Sequence, residues 1–349
     1  MSTTPQSPTA EEEGGGTRRS SPAPADGLGG RVPSLQPVAA KAAEQGARES
    51  AAARVRRRLS STTASVIAIV IAALWTLPTA GLFISSFRPE QEIKTTGWWT
   101  MFTDPQLTLT NYREVLFSSS QGQLASYFVN SFVITVPSTV FVVLLAALAA
   151  YALAWVNFPG RDWLFLGIFA LQIVPLQMSL VPLLRFFSQG VSIGDVQVLP
   201  AWDLPGAFAF TNVWVAHTIF GLPLGIFLLH NFVSQLPHSL FEAARVDGAG
   251  HGVLFRRVVL PLIVPALVSL AIFQFLWVWN DLLVALIFAG GDVSTAPLTV
   301  RLAELAGTRG NEWQRLTAGA FVSMVVPLIV FFTLQRYFVR GLLAGSVKG

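Results

Sequence analysis

Six long apolar stretches follow one another along the chain, separated by shorter polar segments. Each is near the ~20 residues that a helix rising about 1.5 Å per residue needs to cross ~30 Å of hydrocarbon. The pattern predicts six transmembrane helices, at residues 64–87, 128–155, 162–184, 209–233, 262–289 and 316–336. The predicted fold class is therefore all-α, a polytopic membrane protein.

The first 59 residues have a different composition, rich in Ser, Thr, Pro, Ala and Gly with few large apolar side chains. Such a segment cannot bury enough apolar surface to offset the entropy of ordering it. It also lacks the apolar core of a cleavable signal peptide. We expect residues 1–59 to be a disordered cytoplasmic tail and residues 60–349 to form the transmembrane domain.

The overall composition agrees with a membrane location. Hydrophobic residues make up 52% of the 349 residues, charged residues 12%, and the mean hydropathy is +0.57. A soluble core with a wet surface could not accommodate these values. The chain has no cysteine, and its four histidines never occur at the i, i+4 spacing of a helical metal pair, so we expect no metal site.

Positive charges predict the orientation, because cytoplasmic loops are enriched in Arg and Lys. If both termini are cytoplasmic, the inner side carries eleven of these charges, at Arg54, Arg56, Arg57, Arg58, Arg161, Arg245, Arg256, Arg257, Arg336, Arg340 and Lys348. The longer outer loops carry seven, at Arg88, Lys94, Arg113, Arg185, Arg301, Arg309 and Arg315. The Arg cluster before the first span is a topology signal or a contact for anionic lipid.

Helix-breaking residues occur within the apolar runs. The prolines among them are Pro78, Pro137, Pro175, Pro182, Pro223 and Pro327. They indicate either kinked helices around a pathway or ordinary proline use in membrane helices. Gly221 and Gly225 have the spacing of a close packing face between helices, which we interpret as packing and not as a binding site.

The polar loop between the fourth and fifth spans, residues 237–261, has the pattern of a short helix followed by a turn. Ser239 and Glu242 have the spacing of a capping box, which predicts that a helix begins there. Asp247 and Gly248 are expected to end it, since glycine readily adopts the left-handed conformation of a helix stop. A second helix is expected near Val253, with Pro261 at its transition into the fifth span. Such a helix could dock in a partner's groove or be a simple connection.

This loop resembles, position for position, the EAA loop of ABC-importer permeases. The matching residues are Glu242, Ala243, Ala244, Asp247, Gly248, Ala249, Phe255, Leu260, Pro261 and Pro265. In that family the loop forms the coupling helix, which sits in a cleft of the ATPase subunit. We therefore call residues 237–261 the coupling loop.

Other segments resemble the carbohydrate-importer permeases of the maltose and α-glucoside type. They are Thr108–Leu116, Asn130 with Ser131, Trp279–Leu286, Ala296–Val300 and Gln335–Gly349. The resemblance covers roughly Ser60 to the C-terminus, although the outer loop from Ser188 to Leu204 looks enlarged. It implies the second-permease type of subunit in an importer that carries a sugar, either an oligosaccharide or an α-glucoside.

The resemblance also implies the partners. They are a dimer of ATPase subunits, a second permease, an extracytoplasmic sugar-binding protein and the lipid bilayer of the inner membrane, with no nucleic acid. The chain has no phosphate-binding loop, because none of its lysines, Lys41, Lys94 and Lys348, follows glycine. ATP and magnesium are therefore expected on the ATPase, and no cofactor on this chain.

Four residues of the fifth span are candidates for the substrate pathway. Gln274, Trp277 and Asp281 follow an i, i+3, i+7 pattern that would share one helix face, with Asn280 beside them. Amides and carboxylates bond hydroxyl groups, and an indole offers an apolar face to a sugar ring. Interhelical hydrogen bonding that holds the bundle together is an equally open interpretation.

Three rival functions are weaker. An enzyme would need a nucleophile with a base or a metal cluster, and the sequence has neither pattern. An ion-coupled secondary transporter usually carries several ionisable residues within its spans, whereas Asp281 is the one carboxylate well inside a predicted span. An ABC importer for another small polar solute remains the alternative closest to the prediction.

Overall fold

A computed structural model describes residues 62–117, 124–202, 209–307 and 312–344, with side chains described up to Gln335. The expected tail, residues 1–59, lies outside the described residues, as do the last residues of the C-terminal motif. In the described part the long elements are helices α1 (Thr62–Ser86), α4 (Leu124–Trp155), α7 (Thr211–Val233), α9 (His251–Trp279) and α12 (Trp313–Ala344). The structure thus confirms a helical membrane fold.

Shorter elements connect these helices. They are α2 (Glu90–Thr95), a 3₁₀ turn (Trp98–Phe102), α3 (Thr110–Phe117), α5 (Arg161–Leu171), α6 (Leu176–Gln189), β1 (Val191–Ile193), β2 (Val196–Leu199), α8 (His238–Val246), α10 (Leu283–Phe288) and α11 (Leu298–Ala306). The segment after α6, which was predicted to be an enlarged outer loop, contains the two strands, and they pair as an antiparallel hairpin with Ile193 opposite Val196. This hairpin is the one departure from an all-helical chain among the described residues.

The third predicted span is not one continuous helix. Its residues form α5 and α6, which are bent by 102° at the break between Leu171 and Leu176. Pro175 precedes α6 and has no N–H to continue the ladder of α5, and a residue before proline disfavours the helical conformation. In the described chain, five helices are long and apolar enough to cross a membrane, or six if this bent pair is one span.

Most prolines inside the other helices do not break them. Pro137, Pro223, Pro265 and Pro327 lie within α4, α7, α9 and α12, which continue through them. α9 begins earlier than predicted, at His251, and runs through Pro261. Its residues Leu254–Val259 form a wide π turn just before this proline. A proline ring clashes with the carbonyl four residues earlier in a regular helix, and the wider turn relieves that clash.

Helices α4, α7 and α9 form the centre of the bundle, and α12 packs along α9. Gly225 allows the close approach of α4 and α7, because a Cβ atom there would lie 3.1 Å from the Cβ of Ala146. This confirms the packing interpretation of that glycine. The contacts between residues separate the chain into two compact units. The first ends at Ala72, and the second, larger unit begins at Ala73.

Candidate functional site

The coupling loop forms α8, an exposed helix that joins the end of α7 to the start of α9. Of the resemblance residues on α8, Glu242 and Ala243 are exposed and Ala244 is half-buried. Val246 is 88% exposed, and Leu240 on the same helix is 41% exposed. α8 therefore offers a small, mixed apolar and charged surface.

The end of α8 is built as predicted from Asp247 and Gly248. Gly248 has a φ of 80°, in the left-handed region, and its N–H donates to the carbonyl of Arg245 at 3.0 Å. The N–H of Ala249 donates to the carbonyl of Ala244 at 2.9 Å. This pair of bonds is the Schellman motif, which satisfies the last carbonyls of a helix and reverses the chain.

The predicted capping box between Ser239 and Glu242 is wrong. α8 begins at His238, with Pro237 as its N-cap, and no side chain caps it. Pro237 has an extended conformation and already ends the preceding segment, so the helix begins two residues before a Ser239 cap would allow. Both side chains are exposed, and Glu242 has no role in starting the helix.

Aromatic contacts fix α8 to the end of α4. Phe241 is 2% exposed, and its ring stacks on Trp155 with centroids 3.5 Å apart and an angle of 13° between the planes. The indole N–H of Trp155 donates to the carbonyl of Val233 at 3.0 Å, which ties the stack to the end of α7. Burying a phenylalanine contributes about 1.5–3 kcal/mol, and an aromatic pair adds about 0.5–1.5 kcal/mol.

A second anchor lies at the start of α9. The hydroxyl of Tyr151 on α4 is 2.9 Å from Nδ1 of His251, and the ring of Tyr151 packs on Phe255 at 5.4 Å between centroids. Leu254 and Val259 of the π turn are buried beside these rings, whereas Pro261 is exposed. Phe255 and Leu260 are half-buried. The two anchors connect both ends of the loop to one membrane helix.

Gln274 and Trp277, two of the four pathway candidates, line a cavity of about 520 Å³. Two further residues line the same cavity: Gly221 of α7 and the polar Gln172, which lies at the break after α5. Gly221 also packs closely against α9, because a Cβ atom there would lie 2.7 Å from the Gln274 amide nitrogen, as predicted for a packing face. Gln274 is 6% exposed, and among the described residues its amide nitrogen has no hydrogen-bond partner. An unpaired buried amide costs about 1–3 kcal/mol.

The other two candidates lie just past the end of α9, which ends at Trp279. Asn280 is its exposed C-cap, and its amide donates to the carbonyl of Leu276 at 2.7 Å. The Asp281 carboxylate accepts a hydrogen bond from the N–H of Ala285 at 3.0 Å. Asp281 thus lies in the break before α10 and caps that helix. The short aspartate side chain competes with the backbone for hydrogen bonds, which favours such a helix end.

His217 is a buried neighbour that no pattern in the sequence singled out. It is 0% exposed on α7, with Nε2 3.8 Å from the Asp281 carboxylate and its ring edge-on to Trp277 at 5.6 Å between centroids. No group of three or more His, Cys, Asp or Glu side chains suited to a metal occurs in the described part of the chain. The buried His217 and the half-buried Asp281 therefore meet at the α9–α10 break.

Asn130, Ser131, Trp279 and the segment around Ala296, which resemble sugar-importer permeases, come together near the start of α4. The Asn130 amide donates to the carbonyls of Val293 and Ala296, both at 3.0 Å, and Ser131 accepts from the N–H of Leu298 at 2.8 Å. Trp279 packs against Phe128, Phe132 and Phe275. These residues have structural roles, because they hold the segment before α11 against α4 and α9.

Comparison with known proteins identifies the class. Residues 116–343 match the family described as binding-protein-dependent transport system inner membrane component, and the chain belongs to that family. It is therefore an ABC-importer permease, a multi-pass membrane component of a transport system and not an enzyme.

Two relatives are each 52% identical to this chain. One is the osmoprotective compounds uptake permease protein GgtD of Synechocystis, matched over 80% of this chain and 90% of that protein. The other is the alpha-glucoside transport system permease protein AglG of Rhizobium meliloti, matched over 72% of this chain and 63% of that protein. A third, the trehalose transport system permease protein SugB of Mycobacterium tuberculosis, is 34% identical over 78% of this chain and 92% of its own length.

The fold has a solved counterpart. A chain from the crystal structure of a bacterial ABC transporter for the acidic polysaccharide alginate aligns with a TM-score of 0.60. The alignment covers 82% of this chain and 98% of that chain at 19% sequence identity. At this identity the similarity supports the permease fold and carries no information on substrate.

Proposed function

We propose that this chain forms half of the translocation pathway of an ABC importer for a sugar, and that the coupling loop transmits the work of a separate ATPase. The observation that carries the proposal is α8, which is exposed on its outer surface and fixed to α4 by Phe241 and Trp155. Because α8 is packed on α4, a displacement of α8 by the ATPase would also displace α4 and so change the arrangement of the membrane helices. The family membership supplies the type of motor.

The proposed contacts with the ATPase are the exposed face of α8. Glu242 and Ala243 would face the ATPase cleft, with Val246 as the apolar contact, and Asp247 and Gly248 would set the turn after them. The chain would act with a second permease, two ATPase subunits that bind ATP and magnesium, and an extracytoplasmic sugar-binding protein. This chain itself would bind no cofactor.

The proposed substrate is an α-glucoside or a related oligosaccharide. Its support is the 52% identity to AglG and the 34% identity to SugB, whose names specify an alpha-glucoside and trehalose. Uptake of an osmoprotective solute is the second candidate, supported by the match to GgtD over 90% of that protein. Both candidates use the same ATPase contact.

The test is uptake by the full complex in proteoliposomes. We expect a radiolabelled α-glucoside to accumulate in a manner that requires ATP and the binding protein. Unlabelled trehalose or maltose should compete with the labelled sugar and lower its accumulation. Competition by an osmoprotective solute alone would favour the second candidate. ATP-independent uptake driven by an ion gradient would contradict the proposal.

The orientation follows from the same proposal, with α8 and both termini in the cytoplasm. Because the chain has no cysteine, single-cysteine variants report one position each. A membrane-impermeant maleimide added to the outside of intact cells should label the Lys94→Cys variant. It should label the Asp247→Cys variant only after the membrane has been permeabilised. The reverse pattern would contradict the orientation.

Gly248→Val should weaken coupling without removing the permease from the membrane. A β-branched residue at a φ of 80° costs roughly 1–2 kcal/mol, so the Schellman turn would open and α8 would lose its fixed direction. We expect uptake to fall about 5- to 30-fold, which is the change in an equilibrium constant that corresponds to this free energy. The measurement is uptake normalised to the amount of inserted permease.

Gly252→Ala is the matched control, because it lies in the same loop without a positive φ and has open space where a Cβ would be added. It should retain uptake near the wild-type rate. Equal losses in both variants would show that the turn at Gly248 has no special role.

A further inference from the structure

His217 and Asp281 form a polar pair inside the bundle, away from the coupling loop. His217 is 0% exposed on α7, and neither of its ring nitrogens has a hydrogen-bond partner among the described residues. Its Nε2 lies 3.8 Å from the Asp281 carboxylate, about 1 Å beyond the length of a charge-assisted hydrogen bond. Buried polar atoms in folded proteins are nearly always paired, so an imidazole with two unpaired nitrogens beside a carboxylate requires an explanation.

The surroundings of His217 are apolar. Val213 and Ala216 of the same helix are buried in one cluster with Val278 of α9 and Val284 of α10. In such an environment a hydrogen bond is electrostatically stronger than in water, and an unpaired polar group is correspondingly costly. Within the described part of the chain, the carboxylate that lies within 4.0 Å of the His217 ring is that of Asp281.

Helix α7 connects His217 to the coupling loop. Its last residue, Val233, accepts a hydrogen bond from the indole N–H of Trp155 at 3.0 Å, and Trp155 stacks on Phe241 of α8. At 1.5 Å per residue, His217 lies about 24 Å further along the same helix. Because α7 is continuous over this length, a displacement of α8 would also shift His217.

Asp281 is held by different elements. Its carboxylate accepts a hydrogen bond from the N–H of Ala285 on α10 at 3.0 Å, and its carbonyl accepts one from the hydroxyl of Thr299 on α11 at 2.7 Å. Asp281 is thus bonded to α10 and α11, whereas His217 belongs to α7. A relative displacement of these elements by about 1 Å would open or close the pair.

We propose that His217 is a positioning residue of the transport cycle, which holds the α9–α10 break against α7 in one of two states. In the closed state the Nε2–H of a neutral His217 donates to the Asp281 carboxylate. In the open state, which this structure shows, the two groups are 3.8 Å apart. Packed helices have discrete arrangements, so a small displacement can separate two such states.

The closed pair would favour one orientation of the α9–α10 break, and therefore one state of the translocation pathway. An ionisable pair inside a membrane bundle is costly to retain, which favours a functional role. This proposal rests on the proposed function and adds the residue that sets the balance between its two states.

The test uses the full complex in proteoliposomes and compares two replacements of His217. His217→Leu removes both nitrogens and keeps a side chain of similar size, whereas His217→Gln keeps an N–H donor near the position of Nε2. His217→Leu should lower the maximal rate of uptake at least about 10-fold, the change expected for loss of one hydrogen bond to a charged group. The sugar concentration at half-maximal uptake should change little, because His217 does not contact the sugar. His217→Gln should restore most of the lost rate.

A double-mutant cycle tests whether His217 acts through Asp281. Asp281→Asn keeps an oxygen that can accept from the N–H of Ala285 and removes the charge that attracts the imidazole. It should lower the maximal rate in the wild-type background and cause little further loss in the His217→Leu background. Additive losses in the double variant would show that the two residues act independently, and would overturn the proposal.

Thr218→Val is the matched control at the neighbouring position of α7. Thr218 is also buried, and its hydroxyl donates to the carbonyl of Trp214 in the same helix at 2.7 Å. This variant should transport at the wild-type rate. Co-purification of the ATPase should be unchanged in every variant, because the surface of α8 is unaltered.

Three outcomes would contradict the proposal. Wild-type uptake by His217→Leu would overturn it and leave the proposed function intact. Equal losses in His217→Leu and His217→Gln, each normalised to inserted complex, would show that the imidazole packs and does not donate, and would also overturn it. A wild-type complex that hydrolyses ATP and carries no sugar would contradict the proposed function, and this proposal with it.

Discussion

Glu242→Lys is expected to abolish ATP-driven uptake while leaving the amount of permease in the membrane unchanged. Glu242 is exposed on α8, and within the described part of the chain its carboxylate has no hydrogen-bond or ion-pair partner. Since no side chain caps α8, the charge contributes little to starting the helix. Under the proposed function, its reversal acts on the contact with the ATPase.

The expected loss is large because, in the proposed complex, docking of the ATPase would desolvate this contact. Removing one partner of a desolvated charge pair costs roughly 2–5 kcal/mol, which corresponds to at least about a 30-fold fall in uptake. The measurement is co-purification of the ATPase with the permease, together with uptake. Asp162→Lys is the matched control, since Asp162 is 89% exposed at the start of α5. Equal effects of the two substitutions would contradict a specific role for Glu242.

Phe241→Ala is expected to uncouple ATP hydrolysis from uptake. The substitution removes the buried ring that stacks on Trp155, and truncation of a buried phenylalanine costs about 3–5 kcal/mol. α8 would then detach from α4, while the long helices retain their own packing. Unlike Glu242→Lys, this variant keeps the exposed surface of α8, so the ATPase can still bind.

Two measurements distinguish these variants. Phe241→Ala should retain ATPase co-purification and lose at least about 10-fold in sugar carried per ATP hydrolysed, in line with the lost burial energy. The control is Phe158→Ala, which truncates an exposed phenylalanine just after the end of α4. It should carry as much sugar per ATP hydrolysed as the wild-type protein. If Phe241→Ala transports normally, the stack on Trp155 is not the mechanical connection.

The membrane helices could be predicted from the sequence because length and apolarity are local properties. The second predicted span, 128–155, ends at the same residue as α4, and the fourth, 209–233, at the same residue as α7. The stop of α8 at Gly248 was predictable for a similar reason, because only glycine adopts a positive φ at little cost. Each of these features depends on a few adjacent residues.

The bend between α5 and α6 and the break after Trp279 could not be predicted from apolarity. Both occur inside predicted spans of high hydropathy, next to isolated polar residues, and proline elsewhere in the chain, as at Pro137 and Pro223, leaves the helix continuous. Whether a proline breaks a helix depends on what neighbouring helices supply to the freed backbone groups. The i, i+7 relation of Asp281 to Gln274 assumed an unbroken helix, whereas α9 ends at Trp279.

The cavity and the anchors of α8 depend on contacts between residues far apart in the chain. Trp155 on α4 contacts Phe241 on α8, although α5, α6 and α7 lie between them in the chain. Gln172, at the end of α5, lines the same cavity as Gln274 of α9. The sequence selected Gln274 and Trp277 by residue type, yet it contained no signal for Gln172. Residue chemistry alone therefore identified half of the cavity's polar lining.

Photocrosslinking from α8 is the most direct test that this helix is the contact with the ATPase. A photoreactive benzoylphenylalanine placed at Val246, which is 88% exposed, should form an adduct with the ATPase subunit in native membranes. The same residue placed at Asp195, exposed on the hairpin at the opposite end of the bundle, should not. An ATPase adduct from Val246 that depends on an intact Glu242 is the result that we predict. Adducts from Asp195 and none from Val246, in a complex that transports sugar, would contradict the account.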